Sequence, residues 1–116
     1  MKKLLLILFA LTCLIASAQH YESNARAYVK IKKNKKIKTK DILIEKDTVC
    51  LSENLIIIRS KDTMFIDVEV VEETDKIKKW KGYDNDELCY IVLFKQQTPK
   101  SVLINYGEWG IIYFLD

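Results

Sequence analysis

Histidine is almost missing from this sequence: His20 is the only one in 116 residues. A Ser-His-Asp or Cys-His arrangement needs a positioned imidazole as base. His20 would stand next to the new terminus if the chain is cut after Ala18, a poor place to hold one. The same scarcity excludes histidine-rich zinc sites, and two cysteines alone, Cys50 and Cys89, do not build a structural zinc site. No G-x-G-x-x-G, Walker-type loop or H-E-x-x-H occurs. These gaps point away from an enzyme, and no cofactor or metal is implied. Carboxylates are plentiful, 16 in all, so some pair will always be close and closeness alone argues nothing for catalysis. There is no internal repeat and no low-complexity tract.

The first residues read as a removable signal peptide over 1–18. Lys2 and Lys3 form a short positive start, Leu4 to Ile15 is an apolar stretch, and Ala16-Ser17-Ala18 sets small residues where a signal peptidase cuts. As a helix, Leu4 to Ala18 would span roughly 22 Å, short of a ~30 Å hydrocarbon core. No basic stop-transfer cluster follows, so no membrane span is expected in the mature chain. Cys13 is a poor lipid anchor, because Thr12 precedes it and apolar Leu14-Ile15 follows. Export to the periplasm or beyond is the expectation. Of the three excess positive charges, two belong to Lys2 and Lys3, so charge makes no case for nucleic acid. Cys50 and Cys89 would remain, and two cysteines in an oxidising compartment suggest one disulfide.

Residues 19–116 have the size of one domain. Gln19 to Ala27 is polar with weak pattern and reads as a lead-in or short helix. Short β-type runs then alternate with polar turns. Tyr28–Lys32 and Lys36–Thr39 suggest a hairpin about Lys33-Asn34-Lys35, with Val29 and Ile31 matching Ile37 and Thr39 on a buried face. Ile42-Leu43-Ile44, Thr48–Leu51 and Leu55–Arg59 follow, with Lys46-Asp47 as a tight turn. Thr63–Val71 has the cleanest period of two, Met64, Ile66, Val68 and Val70 facing one way. Glu72–Asp75 and Gly82–Glu87 read as loops. Leu88–Phe94 is continuously apolar, as expected of a strand buried on both faces. Ser101–Tyr106 and Ile111–Leu115 complete the pattern. Turns every 8 to 12 residues or so are the spacing of a sandwich or barrel. The expected fold class is all-β, a small antiparallel meander closing into a barrel or sandwich.

Three stretches could carry function. Lys30 to Lys40 holds seven lysines in eleven residues, and Lys32, Lys33, Lys35 and Lys36 are the candidate anion-binding residues. The bland alternative is a solvated hairpin whose lysines guard an edge strand, or one whose field is cancelled by the acidic segment Glu69 to Asp75. Aromatics do not interleave with these lysines as single-stranded nucleic acid would require. Asp84-Asn85-Asp86-Glu87 concentrates oxygen ligands without EF-hand spacing, which favours a plain hairpin turn over calcium. Trp80, Tyr83, Tyr90, Tyr106, Trp109, Tyr113 and Phe114 gather in the last third, either around a ligand cavity or as core.

Trp80-Lys81-Gly82-Tyr83-Asp84, Cys89-Tyr90-Ile91-Val92-Leu93, Ile104-Asn105-Tyr106 and Ile111 to Leu115 give the last third a distinct texture. In it the chain resembles small uncharacterised exported proteins of flavobacterial type, which share its lysine- and isoleucine-rich style and a glutamine at the mature start. The resemblance implies export from a Gram-negative cell and transfers no activity or site residue. The functional expectation is a non-catalytic exported binding module of the cell envelope, with an anionic glycan, a glycolipid or an envelope protein as partner. The alternative is a calycin-like carrier of a small apolar ligand, which requires a cavity inside the barrel.

Overall fold

The computed structural model describes residues 19–31 and 37–115. The signal peptide expected over 1–18 lies outside them, as do Lys32, Lys33, Lys35 and Lys36. Nine strands follow in order: β1 Gln19–Ile31, β2 Ile37–Leu43, β3 Asp47–Leu51, β4 Leu55–Arg59, β5 Thr63–Glu73, β6 Ile77–Asp84, β7 Glu87–Phe94, β8 Ser101–Asn105 and β9 Trp109–Leu115. Among the described residues no helix is long and apolar enough to cross a membrane.

All neighbouring strands are antiparallel, and β9 returns to pair with β1 from Ser23↔Leu115 to Lys30↔Trp109. The meander therefore closes into an eight-stranded barrel of β1 and β3 to β9, and the barrel alternative of the expected fold holds. Closure satisfies backbone groups that an open sheet would leave at its edges. β1 is the long seam strand. Its other edge meets β3 along Gln19–Ser23 and β2 along Arg26–Ile31. β2 and β3 thus lie end to end beside β1, separated by residues 44–46.

Period two sorts the wall. Val49, Leu51, Ile56, Ile58, Ile66, Val68, Trp80, Cys89, Ile91, Leu93, Val102, Ile104, Ile111, Tyr113 and Leu115 form one buried cluster inside. Each such apolar side chain contributes about 1.5–3 kcal/mol when fully buried. Trp80 is the largest fully buried side chain, and its indole N–H donates to the Ser52 carbonyl at 3.0 Å, so the polar edge of the ring is satisfied. Gly82 stands opposite Val68. A Cβ there would meet the Asp67 carbonyl oxygen and Val68 Cγ1 at 2.6 Å, so glycine lets β5 and β6 approach. The β6–β7 turn is tight: Asn85 and Asp86 have φ of 48° and 67°, the left-handed pair of a two-residue hairpin.

Several expectations change. Gln19 to Ala27 is strand, not lead-in or helix. Its pattern is hidden by a register shift between Ser23 and Ala25, which breaks the period of two. Asp47 opens β3 rather than making a turn, and Glu72 and Glu73 still belong to β5. The loop expected over Gly82–Glu87 shrinks to Asn85-Asp86. β7 is not buried on both faces: Cys89, Ile91 and Leu93 point inward, Tyr90, Val92 and Phe94 are half-buried, and Leu88 is exposed.

Candidate functional site

Two polar clusters and one open edge stand out from the packed wall. The first cluster sits where β1 leaves β3 for β2. Arg26 donates to both carboxylate oxygens of Asp47 at 3.1 and 3.2 Å, and to Glu45 Oε2 at 3.0 Å. The Asp47 side chain is wholly buried. Burial pushes the Asp47 carboxyl up against the lowering effect of Arg26. Desolvation opposes the charge on Arg26, but Asp47, Tyr28 and Glu45 together overcome it and raise its pKa. Two carboxylates and one guanidinium thus tie the β2–β3 junction to β1. At another rim, the Tyr106 hydroxyl donates to Asp84 Oδ2 at 2.7 Å while its ring stacks on Trp109 at 4.5 Å.

The second cluster concerns the cysteines. The expected Cys50–Cys89 disulfide is not formed; both are free thiols. The reason is the wall itself. Cys89 belongs to the interior cluster, whereas Cys50 packs with Ile57 and Leu55 in a separate one, and β4, β5 and β6 intervene between their strands. A bridge needs side chains that converge with Cα atoms about 4.4–6.8 Å apart. Cys50 instead contacts His20, its cross-strand partner, with Sγ and Nδ1 3.1 Å apart. The sequence reading treated His20 as a loose terminal residue; β1 gives it a fixed place. The pair is no activated nucleophile. Cys50 is 6% exposed, and burial raises its pKa more than Arg59 lowers it. A thiol held protonated attacks poorly.

The open edge is β2. β4 ends opposite Thr48, so among the described residues no strand continues along the far side of β2. At the end of β2 and just beyond, Ile42, Leu43 and Ile44 are exposed by 62%, 38% and 87%. No period of two hides any of them, although the sequence pattern is that of an ordinary strand. The arms expected to flank the lysine-rich turn do pair, with Ile31 opposite Ile37 and Val29 opposite Thr39, and the turn between them lies outside the described residues. Val29 is buried, Ile31 half-buried and Thr39 exposed. In the acidic segment, Glu69, Glu72 and Glu73 stand opposite Lys81, Lys79 and Lys78 in the register of β5 and β6. Glu73 also binds Lys95 at 3.1 Å.

The expected aromatic cavity divides. Trp80 and Tyr113 fill the interior, Tyr106 packs against it, and Tyr83 and Trp109 are exposed. An open depression of about 330 Å³ lies instead on β5 and β6, lined by Asp67, Val68, Glu69, Lys81 and Tyr83. Among the described residues no group of three or more His, Cys, Asp or Glu could hold a metal ion. The barrel matches no protein-family model, no curated protein and no solved structure.

Proposed function

We propose that this chain is an exported, non-catalytic binding module of the cell envelope that holds an anionic partner on its β1–β2 hairpin. The carrying observation is the contrast at β2. Among the described residues the barrel takes every other strand into its wall, while β2 keeps one side unpaired and ends in exposed Ile42, Leu43 and Ile44. The hairpin sequence supplies the positive charge, and of the β5 acids Glu73 is held by Lys78 and Lys95. Exposed apolar residues beside the charge favour a protein over a glycan or glycolipid, which has less use for them. The carrier of an apolar ligand loses its support, because Trp80, Tyr113 and the isoleucines occupy the interior.

The test is binding of the exported protein to an acidic protein and to an acidic polysaccharide across a salt series. Attraction between exposed charges is screened beyond ~8 Å at physiological ionic strength, so binding should weaken steeply as salt rises. Replacing Lys32, Lys33, Lys35 and Lys36 together by glutamine should abolish it and leave the melting transition in place, since exposed lysines add little stability. Equal binding by wild type and variant at low salt would overturn the proposal.

A further inference from the structure

The geometry points to β2 as an acceptor edge for β-strand addition, taking an extended, acidic segment of a partner protein. This rests on the binding-module reading and names its mode. A free edge offers a row of unpaired N–H and C=O groups. A peptide that lies along it gains main-chain hydrogen bonds, with alternate side chains setting specificity. β2 runs Ile37–Leu43 and pairs with β1 through Ile31↔Ile37 to Arg26↔Leu43, with a register shift between Tyr28 and Val29 that passes over Lys40, so one side is held by the seam strand on both sides of a bulge. Ion pairs from Arg26 fix the end where the chain turns into β3. The acceptor is thus anchored to the barrel rather than a loose ribbon.

Two alternatives occupy the same edge, and the sequence of β2 argues against the first. A second copy of this chain would add through a two-fold axis normal to the sheet. That symmetry lets a residue pair only with one on the same face, so the strands must be centred on a residue. Centring on Lys38 or Lys40 sets that lysine against itself, and centring on Thr39 sets Lys38 against Lys40. Centring on Asp41 opposes two aspartates, and centring on Ile42 avoids a like-charge pair but overlaps only Asp41–Leu43 of β2. Like charges directly opposite are destabilising. An acidic strand carries charge opposite to that of the lysine-rich β2 sequence, and its apolar residues can cover Ile42, Leu43 and Ile44. The second alternative, a polyanion such as an acidic polysaccharide, would use the charge alone and leave the backbone groups of β2 unpaired.

The experiment uses the full exported protein and a synthetic ten-residue peptide alternating glutamate with valine. A control peptide of the same sequence is N-methylated at alternate residues. Amide hydrogen exchange across residues 37–43 is the primary reading. With the plain peptide, β2 amides should slow by roughly tenfold or more, and N-methylation should weaken binding by about tenfold or more, as expected when several hydrogen bonds are lost. Equal affinity for both peptides would overturn the inference, as would absence of binding at low salt. Protection of β2 that grows with protein concentration and needs no peptide would overturn it in favour of a second copy. Equal protection by an acidic polysaccharide would overturn it in favour of charge alone. The lysine-to-glutamine series separates the two readings. If it removes anion binding while β2 amides never slow, the binding module stands and strand addition fails.

Discussion

In β5, Ile66 and Val68 are buried while Asp67 and Glu69, which alternate with them, face solvent. In β2 and the link beyond it, Ile42, Leu43 and Ile44 are exposed in succession. The two regions share a β-rich composition and differ in what stands beside them. β5 has β4 and β6 on either side and an interior to turn toward, so period two becomes burial. Among the described residues β2 has β1 alone, and its last apolar residues have no second layer to enter. Apolar content therefore says little here about where a residue ends up; neighbours decide it.

The junction between these regions is where the comparison is most easily broken. Arg26→Met leaves the fully buried Asp47 carboxylate without its partner. Breaking a buried pair in this way costs about 3–5 kcal/mol, and chemical denaturation at neutral pH should show a loss of that order. The sign with pH follows from Asp47. Burial already raises its pKa, and removing Arg26 raises it further. A carboxyl raised in the folded state is best tolerated below its unfolded pKa of about 3.9 and costs stability as pH climbs through the folded value. The deficit of the variant should therefore shrink in acid. The Arg26→Met/Asp47→Leu double variant should recover part of the loss, because an apolar pair can replace a buried ion pair. A deficit under about 1 kcal/mol in Arg26→Met would mean that the junction is held by backbone pairing alone.

The interior supplies a second, smaller effect at the other end of the pH scale. Burial, then Asp47, pushes the Tyr113 hydroxyl from its ordinary value of 10 up to about 12. A group with a raised folded pKa contributes stability that is intact below the unfolded value and lost as pH rises through the folded one. For Tyr113 that amounts to about 3 kcal/mol lost between roughly pH 10 and 12. Tyr113→Phe should flatten that part of the alkaline unfolding curve. Cys89, raised to about 11 chiefly by burial, should leave a residual slope. A variant with an unchanged alkaline curve would place the Tyr113 hydroxyl in contact with water, against the packed interior.

Much of the barrel is legible in the sequence. Leu55–Arg59 and Thr63–Val71 carry their pattern locally, since each faces the core with alternate residues. Turns built on Ser52-Glu53-Asn54 and Ser60-Lys61-Asp62 also follow from their residue types. What stayed hidden depends on distant partners. Gln19 to Ala27 becomes a strand because β3 and β9 flank it, and its bulge scrambles the alternation. Asp47 looks like a turn residue until Arg26, far back in the chain, is seen to need it. The two cysteines suggested a bridge by number alone. Which side of the wall each faces follows from register: Cys50 stands between inward Val49 and Leu51, and Cys89 lies opposite Gly82. The exposure of Ile42, Leu43 and Ile44 carried no signal, because an isoleucine-rich run reads alike whether or not a layer covers it.

The smallest expected effect on stability bears most directly on function. Ile42→Ser and Ile44→Ser each remove apolar side chains that are 62% and 87% exposed. Surface substitutions away from packed features stay within about ±0.5 kcal/mol, so thermal and chemical denaturation should barely move. In the wall, Ile66→Ala should cost roughly 2–5 kcal/mol, because Ile66 is fully buried. The comparison between the regions predicts an inverse ranking for partner binding. Ile66→Ala, if still folded, should bind the acidic alternating peptide as the wild type does, since its change lies inside the barrel. Ile42→Ser with Ile44→Ser should lose affinity by about tenfold, near the value of two partly covered aliphatic side chains. A double variant that loses several kcal/mol of stability would show these isoleucines covered in the free protein. One that keeps both stability and affinity would leave lysine charge as the sole determinant and remove the apolar end of β2 from the binding surface.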